Sequence, residues 1–555
     1  MAFFKHMLMF RYFLAPVWVI LLVSCAGDNG KKGADAINAD SLLRNISILS
    51  SDSFLGRMPF TPGEKMTVDF LERAFRSVGL APGNGNSFVQ EVPMVSIVSI
   101  ADSSMRVKTP KSSFFLQAPG DYVIWTDKTD AHIDLDNTPV VFAGYGVVAP
   151  EYGWNDYEGI DMKGKLALVM VNDPGFWNND TTLFKGRTMT YYGRWTYKFE
   201  EAARQGAKGC LVIHRTSAAG YPFSVVQNGF NSARLQLDNR GKQTSNCDAI
   251  GWIKDTTVER LFAAAGLDAT LFEKANHRGF KAVPLNIGLS TSMSVQSTYD
   301  KSMNVIGRIE GSERPDEAII YTAHWDHLGI GAPDEKGDSI YNGALDNASG
   351  TAGLIELARA FNSLPQKPER TIVFLAVTGE EQGLLGSEYY TANPVYPPEK
   401  TVAAINIDVL NNFGATRDAV VVGLGQSELD DYLKEEVEKE GGYIVGEPSP
   451  ESGGYFRSDH FNFAKAGIPA LYGGSGTDLI GKGKTEGQRL KDAFIAKHYH
   501  RPSDELTGDW NMEGAVHDLS RLFKIGQRLA FETRWPAWKD ASEFKAIREK
   551  QRAGR

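Results

Sequence analysis

The chain has 555 residues, 42% of them hydrophobic and 23% charged. That is an ordinary globular composition on a chain too long for one core, so two or three domains are expected. The net charge of −9, from 59 basic and 68 acidic residues with no long single-sign block, excludes the electrostatic footprint of a nucleic-acid binder.

The first segment reads as an address. Lys5 and Arg11 precede the apolar stretch Tyr12 to Val23, which is too short to span a bilayer and suits a signal-peptide core. It ends in Leu22-Val23-Ser24-Cys25, which resembles a bacterial lipobox. The resemblance implies a signal peptide over residues 1–25, acylation of Cys25 and a lipid anchor to the cell envelope of an exported protein. A secretory signal with a chance cysteine is the alternative. Residues 26–38, with Gly, Asp and Lys, read as a tether.

From Ser41 to about Leu80 the apolar spacing of Leu42, Leu43, Ile46 and Leu49, then Val68, Leu71 and Phe75, predicts helices around a loop at Ser53 to Met58. Arg57 in that loop is read as structurally paired, with no chemistry. Between about Tyr122 and Leu289 short strands such as Pro139 to Phe142 and Leu166 to Val171 alternate with Gly, Asp and Asn turns, predicting a smaller β-rich module. Within it, Tyr197 to Ala207 reads as a helix and Gly209 to Ile213 as a strand. Cys210 and Cys247 stand outside any Cys-x-x-Cys arrangement, which argues against thiolate zinc ligation and leaves a disulfide or two buried thiols open.

From residue 290 to 535 apolar strands alternate with helices: Ala318 to Thr322, Thr371 to Val377, Val402 to Ile407 and Ala419 to Val422, with a last long helix from about Met512 to Phe531. This pattern predicts an α/β unit with a mostly parallel central sheet flanked by helices. Residues 39–121 read as its N-terminal part and residues 536–555 as a polar tail.

Chemistry-bearing residues gather at the ends of these strands. His324 and Asp326 follow the first, Glu380 and Glu381 the second, and Asp408 the third; Asp346 lies in Asp346-Asn347-Ala348-Ser349-Gly350 and His500 in Tyr499-His500-Arg501-Pro502-Ser503-Asp504. Carboxyl ends of strands are where ligands bind in open α/β sheets, and imidazole with carboxylate donors suits zinc. Taken in order, with Gly379-Glu380-Glu381-Gln382-Gly383-Leu384-Leu385-Gly386-Ser387, these residues resemble the M28 family of di-zinc aminopeptidases. The resemblance implies two Zn²⁺ ions held by His324, Asp346, Glu381, Asp408 and His500, with Asp346 bridging and a cis peptide after it. It implies Glu380 as general base and peptides as substrates. Asp326 is expected to accept the proton of the non-ligating nitrogen of His324, and Tyr499 either to donate to the oxyanion, as a tyrosine does in some relatives, or to be a packed aromatic. His327 and His498 fall outside the implied ligand set. Ser458-Asp459-His460 is expected in the pocket wall.

The stretch Asp161 to Val169, with Ala202, Gly206, Ala207 and Gly209, resembles a protease-associated (PA) domain inserted in M28 enzymes. A glutaminyl-cyclase-like transferase, a carboxypeptidase of the same superfamily and a non-enzymatic binding protein remain open alternatives.

Overall fold

One strand joins the two halves of the molecule. In the computed structural model, which describes residues 32–242 and 246–553, Val283–Ile309 runs for 27 residues. Its first part pairs antiparallel with His132–Phe142, its middle and end with Val89–Ala101, and residues 305–309 with Arg370–Val377. Shared hydrogen bonds along this strand make a continuous sheet of 17 strands. The expected signal peptide and Cys25 lie outside the described residues.

The C-terminal half is the expected α/β layer. Arg314–His324 lies between Arg370–Val377 and Thr401–Asn406, parallel to both, and Ala470–Ser475 adds a further parallel strand beyond Thr401–Asn406. Antiparallel pairings flank this block, from residues 305–309 on one side and Asp418–Val421 on the other. The apolar runs in the sequence follow from burial on both faces. Ile319, Tyr321 and Ala323 point with Ile372, Phe374 and Ala376 into the core beneath helices Gly350–Asn362 and Glu513–Phe531. Their neighbours Ala318, Ile320, Val373, Leu375 and Val377 face the other way, against Tyr390 of helix Leu385–Ala392 and Phe463 of helix His460–Lys465. Each Leu, Ile or Phe buried in this way contributes roughly 1.5–3 kcal/mol, which is why neither face can be left without its helices.

The smaller module has its own cores. His132–Phe142, Leu166–Met170, Gly209–His214 and Ala249–Lys254 form a parallel set closed by antiparallel Tyr122–Trp125. Helices Trp195–Arg204 and Asp255–Ala264 pack on it. This packing unit begins upstream of the expected boundary at 122, because Val95, Ile97, Met105, Val107 and Leu116 share its core with Leu135, Phe142 and Leu168. Cys210 and Cys247 are both buried free thiols.

Both ends of the described chain are more ordered than their composition suggests. The tether expected to reach residue 38 is docked by Ile37, which is 7% exposed in the main core, and Asn38 caps helix Ala39–Leu49 by accepting from the Ser41 N–H at 2.8 Å. The expected polar tail carries helix Lys545–Ala553. Ahead of it Trp538 and Phe544 are buried against Tyr455, Phe456 and Phe461, and the Trp538 indole donates to the Gly467 carbonyl at 3.0 Å. Buried Arg548 adds donations to the Pro398 and Thr401 carbonyls, so aromatics and an arginine together anchor the stretch.

Candidate metal centre

Three neighbouring strand ends converge because their strands are in register: His324 pairs with Val377, three residues before Glu380, and Asp408 follows two residues after Asn406. Gly379, at φ +63, lets the chain turn back so that the Leu385 N–H reaches the Gly379 carbonyl and the Gly386 N–H reaches Thr378. Asp346 arrives on the irregular turn Ala344–Ser349, and its peptide bond to Asn347 is cis. His500 comes from the loop after helix Gly483–Lys497.

Asp346 stands between two histidines. His324 Nε2 is 3.2 Å from Asp346 Oδ1 and 3.3 Å from Asp408 Oδ1, while His500 Nε2 is 3.1 Å from Asp346 Oδ2 and 3.3 Å from Glu381 Oε2. Tetrahedral zinc with bonds of about 2.0–2.2 Å places its ligand atoms about 3.3–3.6 Å apart, close to these separations. Hydrogen bonding points the same way. His324 Nδ1 lies 3.1 Å from the Asp326 carbonyl oxygen, which can only accept, so the proton sits there. Nε2 then faces two carboxylates, an arrangement that calls for positive charge between them, a proton or a metal cation.

Electrostatics agree. Burial works against charge on His324 and His500, yet the surrounding carboxylates outweigh it, holding His324 well above the usual imidazole range and raising His500 to about 9. Burial would raise Asp346, but the two histidines pull it well below the usual carboxylate range. Glu380 goes the other way: burial first, then the charges of Asp408, Glu381 and Asp459, push its carboxyl well up against the pull of His324. Its Oε2 is 3.9 Å from His324 Nε2.

Asp326 differs from expectation. Its carboxylate is 3.7 Å from His324 Nδ1, and its oxygens instead accept the backbone N–H groups of Glu380 at 3.1 Å and Glu381 at 3.3 Å. The turn places two donors opposite the carboxylate, and two such bonds outweigh one long contact. Asp326 therefore orients His324 through its backbone and fixes the Glu380–Glu381 turn through its side chain. Tyr499 stacks on His500, ring centroids 4.0 Å apart, and remains 44% exposed. His498 is turned away, its Nδ1 2.8 Å from the Ser503 carbonyl.

Several supporting residues, among them Arg57 read as structurally paired and Ser458 expected in the pocket wall, have partners that sequence spacing could not name. Ser458 donates to Asp408 Oδ2 at 2.5 Å and accepts from Asn406. Asp504 accepts the N–H groups of Leu345 and Asp346. Arg57, fully buried, donates to the carbonyls of Leu49, Trp325, Asn342 and Gly343, tying both ligand-bearing loops to the N-terminal helix. Their local motifs were visible, but partners distant in sequence were not.

A cavity of ≈ 250 Å³ opens over the centre, lined by Asp346, Glu380, Asp408, Arg457, Tyr499 and His500. Sharing Asp408, Tyr472 and Tyr499 with it is a mostly apolar cavity of ≈ 320 Å³ that includes Ile407, Leu410, Val420, Phe494 and Ile495. The smaller module grips the rim. The Asn172 amide donates to the Glu451 carbonyl, the Met189 N–H to Pro450, and the Tyr191 ring lies 5.3 Å from Phe461.

Residues 304–523 match the model of Peptidase family M28. All five expected ligands fall in that span. A protein named "Probable zinc metalloprotease" from Pyrenophora teres f. teres is 40% identical over 108 residues, 20% of this chain and 22% of that protein. "Aminopeptidase NAALADL1" from Mus musculus is 38% identical over 129 residues, 22% of this chain and 16% of its own length. The chain thus spans about a fifth of the length of the curated relatives it matches. Among solved structures, an aminopeptidase from Aneurinibacillus sp. strain AM-1 aligns over 90% of this chain and 96% of its own, at 19% identity and a TM-score of 0.49.

Proposed function

We propose that this chain is an exported, lipid-anchored di-zinc aminopeptidase that hydrolyses the first residue from peptides. The observation that carries the reading is Asp346, whose two carboxylate oxygens face different histidines, each with a further carboxylate beside it. His324, Asp346 and Asp408 would hold one ion; His500, Asp346 and Glu381 would hold the other. Two zinc ions so placed supply Lewis acidity for the scissile carbonyl and acidify water toward a pKa of ~7.

The remaining work falls to the chain's own groups. Glu380 lies beside the ligands, outside these two trios and outside the group that His327 also forms with Asp346 and Glu381, so its Oε2 is free to take a proton from the attacking water and deliver it to the leaving amine. Burial and nearby carboxylates push the Tyr499 phenol up, so it stays protonated and can donate to the carbonyl oxygen as charge develops there. The apolar cavity beside the centre takes the first side chain and favours large aliphatic or aromatic residues. In this reading the smaller module is a protease-associated domain that holds the rim, and Cys25 carries the lipid.

The test is mass spectrometry of a peptide pool incubated with the zinc-loaded chain, with Glu380→Gln as control. Stepwise loss from the N-terminus, absent in the control, is expected. Loss of ammonia from N-terminal Gln without shortening, or shortening from the other end, would replace the proposal with a cyclase or a carboxypeptidase. Release of the chain from membranes by Cys25→Ser tests the anchor.

A further inference from the structure

His327 takes no part in the reaction just described, yet it is fully buried against the centre and stands close enough to Asp346 and Glu381 that the three could themselves hold an ion. Its Nδ1 is 2.7 Å from Glu381 Oε1. That is shorter than the 3.1–3.3 Å separations between His324 or His500 and their carboxylates, and well short of the about 3.3–3.6 Å expected between two ligands of one tetrahedral zinc ion. It is the length of a charge-assisted hydrogen bond. The carboxylate can only accept, so Nδ1 carries the proton. Nε2, which has no hydrogen-bond partner, is then a bare lone pair rather than a stranded donor.

The slot for this ring is built. Gly343 sits at φ +53, and a Cβ there would lie 2.5 Å from both Cγ and Cδ2 of His327. The ring stands edge-on to His500, with centroids 5.7 Å apart at 75°. Glu381 is therefore divided: Oε1 is held by His327 at 2.7 Å, and Oε2 faces His500 at 3.3 Å.

We propose that His327 is a positioning residue for the second metal site. By donating Nδ1–H to Glu381 Oε1 it fixes the carboxylate's rotation, leaves Oε2 as the ligating atom, and so sets how tightly the ion shared by Asp346, Glu381 and His500 is held. This rests on the di-zinc reading. Partners that orient a metal ligand in this way are worth about 10- to 100-fold in metal affinity.

The test compares zinc retention of the wild type with that of His327→Ala, His327→Asn and His327→Gln across a series of chelator-buffered zinc concentrations. Asn keeps an N–H donor near the Nδ1 position, whereas Gln carries it one bond farther. Two tightly held equivalents are expected in the wild type and in His327→Asn. In His327→Ala and His327→Gln one equivalent should stay tight and the other weaken 10- to 100-fold. If His327→Ala does not fold, the Asn and Gln variants decide the matter alone. Equal retention by Asn and Gln, or wild-type retention by the Ala variant, would overturn the inference while leaving the di-zinc reading intact. Fewer than two equivalents in the wild type would overturn the reading itself, and the inference with it.

Discussion

Replacing Glu380 by Gln removes one carboxylate from the centre at constant volume. The residue belongs to neither group of candidate ligands, and its nearest histidine contact is 3.9 Å, too long for a bond it would need to keep. Zinc content should therefore be unchanged. A general base contributes roughly 10²- to 10⁴-fold, which at 1.36 kcal/mol per tenfold is about 2.7–5.4 kcal/mol of transition-state stabilisation. The whole loss should appear in kcat, with KM nearly constant, because the amide still fills the space and the apolar cavity is untouched. The assay is release of an N-terminal Leu from a short peptide, run alongside zinc analysis of the same sample. Glu381→Gln, one residue on, supplies the contrast: it should lose metal and activity together. A kcat for Glu380→Gln within tenfold of wild type would refute the role, and so would zinc loss equal to that of Glu381→Gln.

Asp346→Ala should weaken both equivalents of zinc, whereas Asp408→Ala and Glu381→Ala should each weaken one, as read by metal analysis after dialysis; loss of a single ion from Asp346→Ala would end the bridging assignment. Burial pushes the His460 imidazole down to about 3 from its ordinary 6.5, so between those values the unfolded chain holds a proton that the folded chain refuses, and stability falls as pH falls. From pH 7 to 5 this group alone should remove about 2 kcal/mol. Urea unfolding at the two pH values should show a smaller difference for His460→Phe, and an identical difference would refute the linkage. Arg57→Leu strips donors from four buried carbonyls and should cost at least ~3 kcal/mol by chemical denaturation, since hydrogen bonds from a charged group are worth about 1.5–3 kcal/mol each; a loss under ~1 kcal/mol would show the loops are held by other means. Phe494→Ser should lower kcat/KM for peptides beginning with Phe or Leu by about tenfold and spare those beginning with Ala, and equal losses for both would place the first side chain elsewhere.

The catalytic sheet was legible because its strands are buried on both faces and read as unbroken apolar runs: Arg370–Val377 is buried at every position. His324, Glu381 and Asp408 could be proposed because each follows such a run within a few residues, whereas Asp346 and His500 lie on irregular loops and were proposed from motif resemblance. Asp326 was misplaced because its partners are the backbone N–H groups of a turn 54 residues away, and sequence spacing to His324 could not weigh a 3.7 Å contact against two shorter ones. The smaller module's core reaches upstream of residue 122 for a different reason. Val89–Ala101 and Val283–Ile309 belong to both halves, so the texture changes gradually along strands whose ends lie in different cores. In the last segment, charged residues dominate composition, while buried Trp538, Phe544 and Arg548 decide packing.

The centre gathers Asp326, Asp346, Asp459 and Asp504, all buried, with Glu380, Glu381 and Asp408 partly so, and an uncompensated buried charge costs several kcal/mol. Arg57 lies close enough to feel four of these carboxylates but directs its donors at backbone carbonyls, so it sets loop positions and neutralises only from a distance. Asp326 and Asp504 are each balanced by two backbone N–H groups, and the Ser387 and Ser458 hydroxyls serve Asp459 and Asp408. Those partners hold geometry without supplying full positive charge. What is left is Glu380 together with Asp346, Glu381 and Asp408, the three carboxylates facing His324 and His500. On the di-zinc reading, the three ligand carboxylates would leave one of four positive charges over, available to hydroxide or to an ionised Glu380. The scaffold thus positions its ligands through groups that bind no metal, and leaves the unbalanced charge where a metal pair would neutralise it.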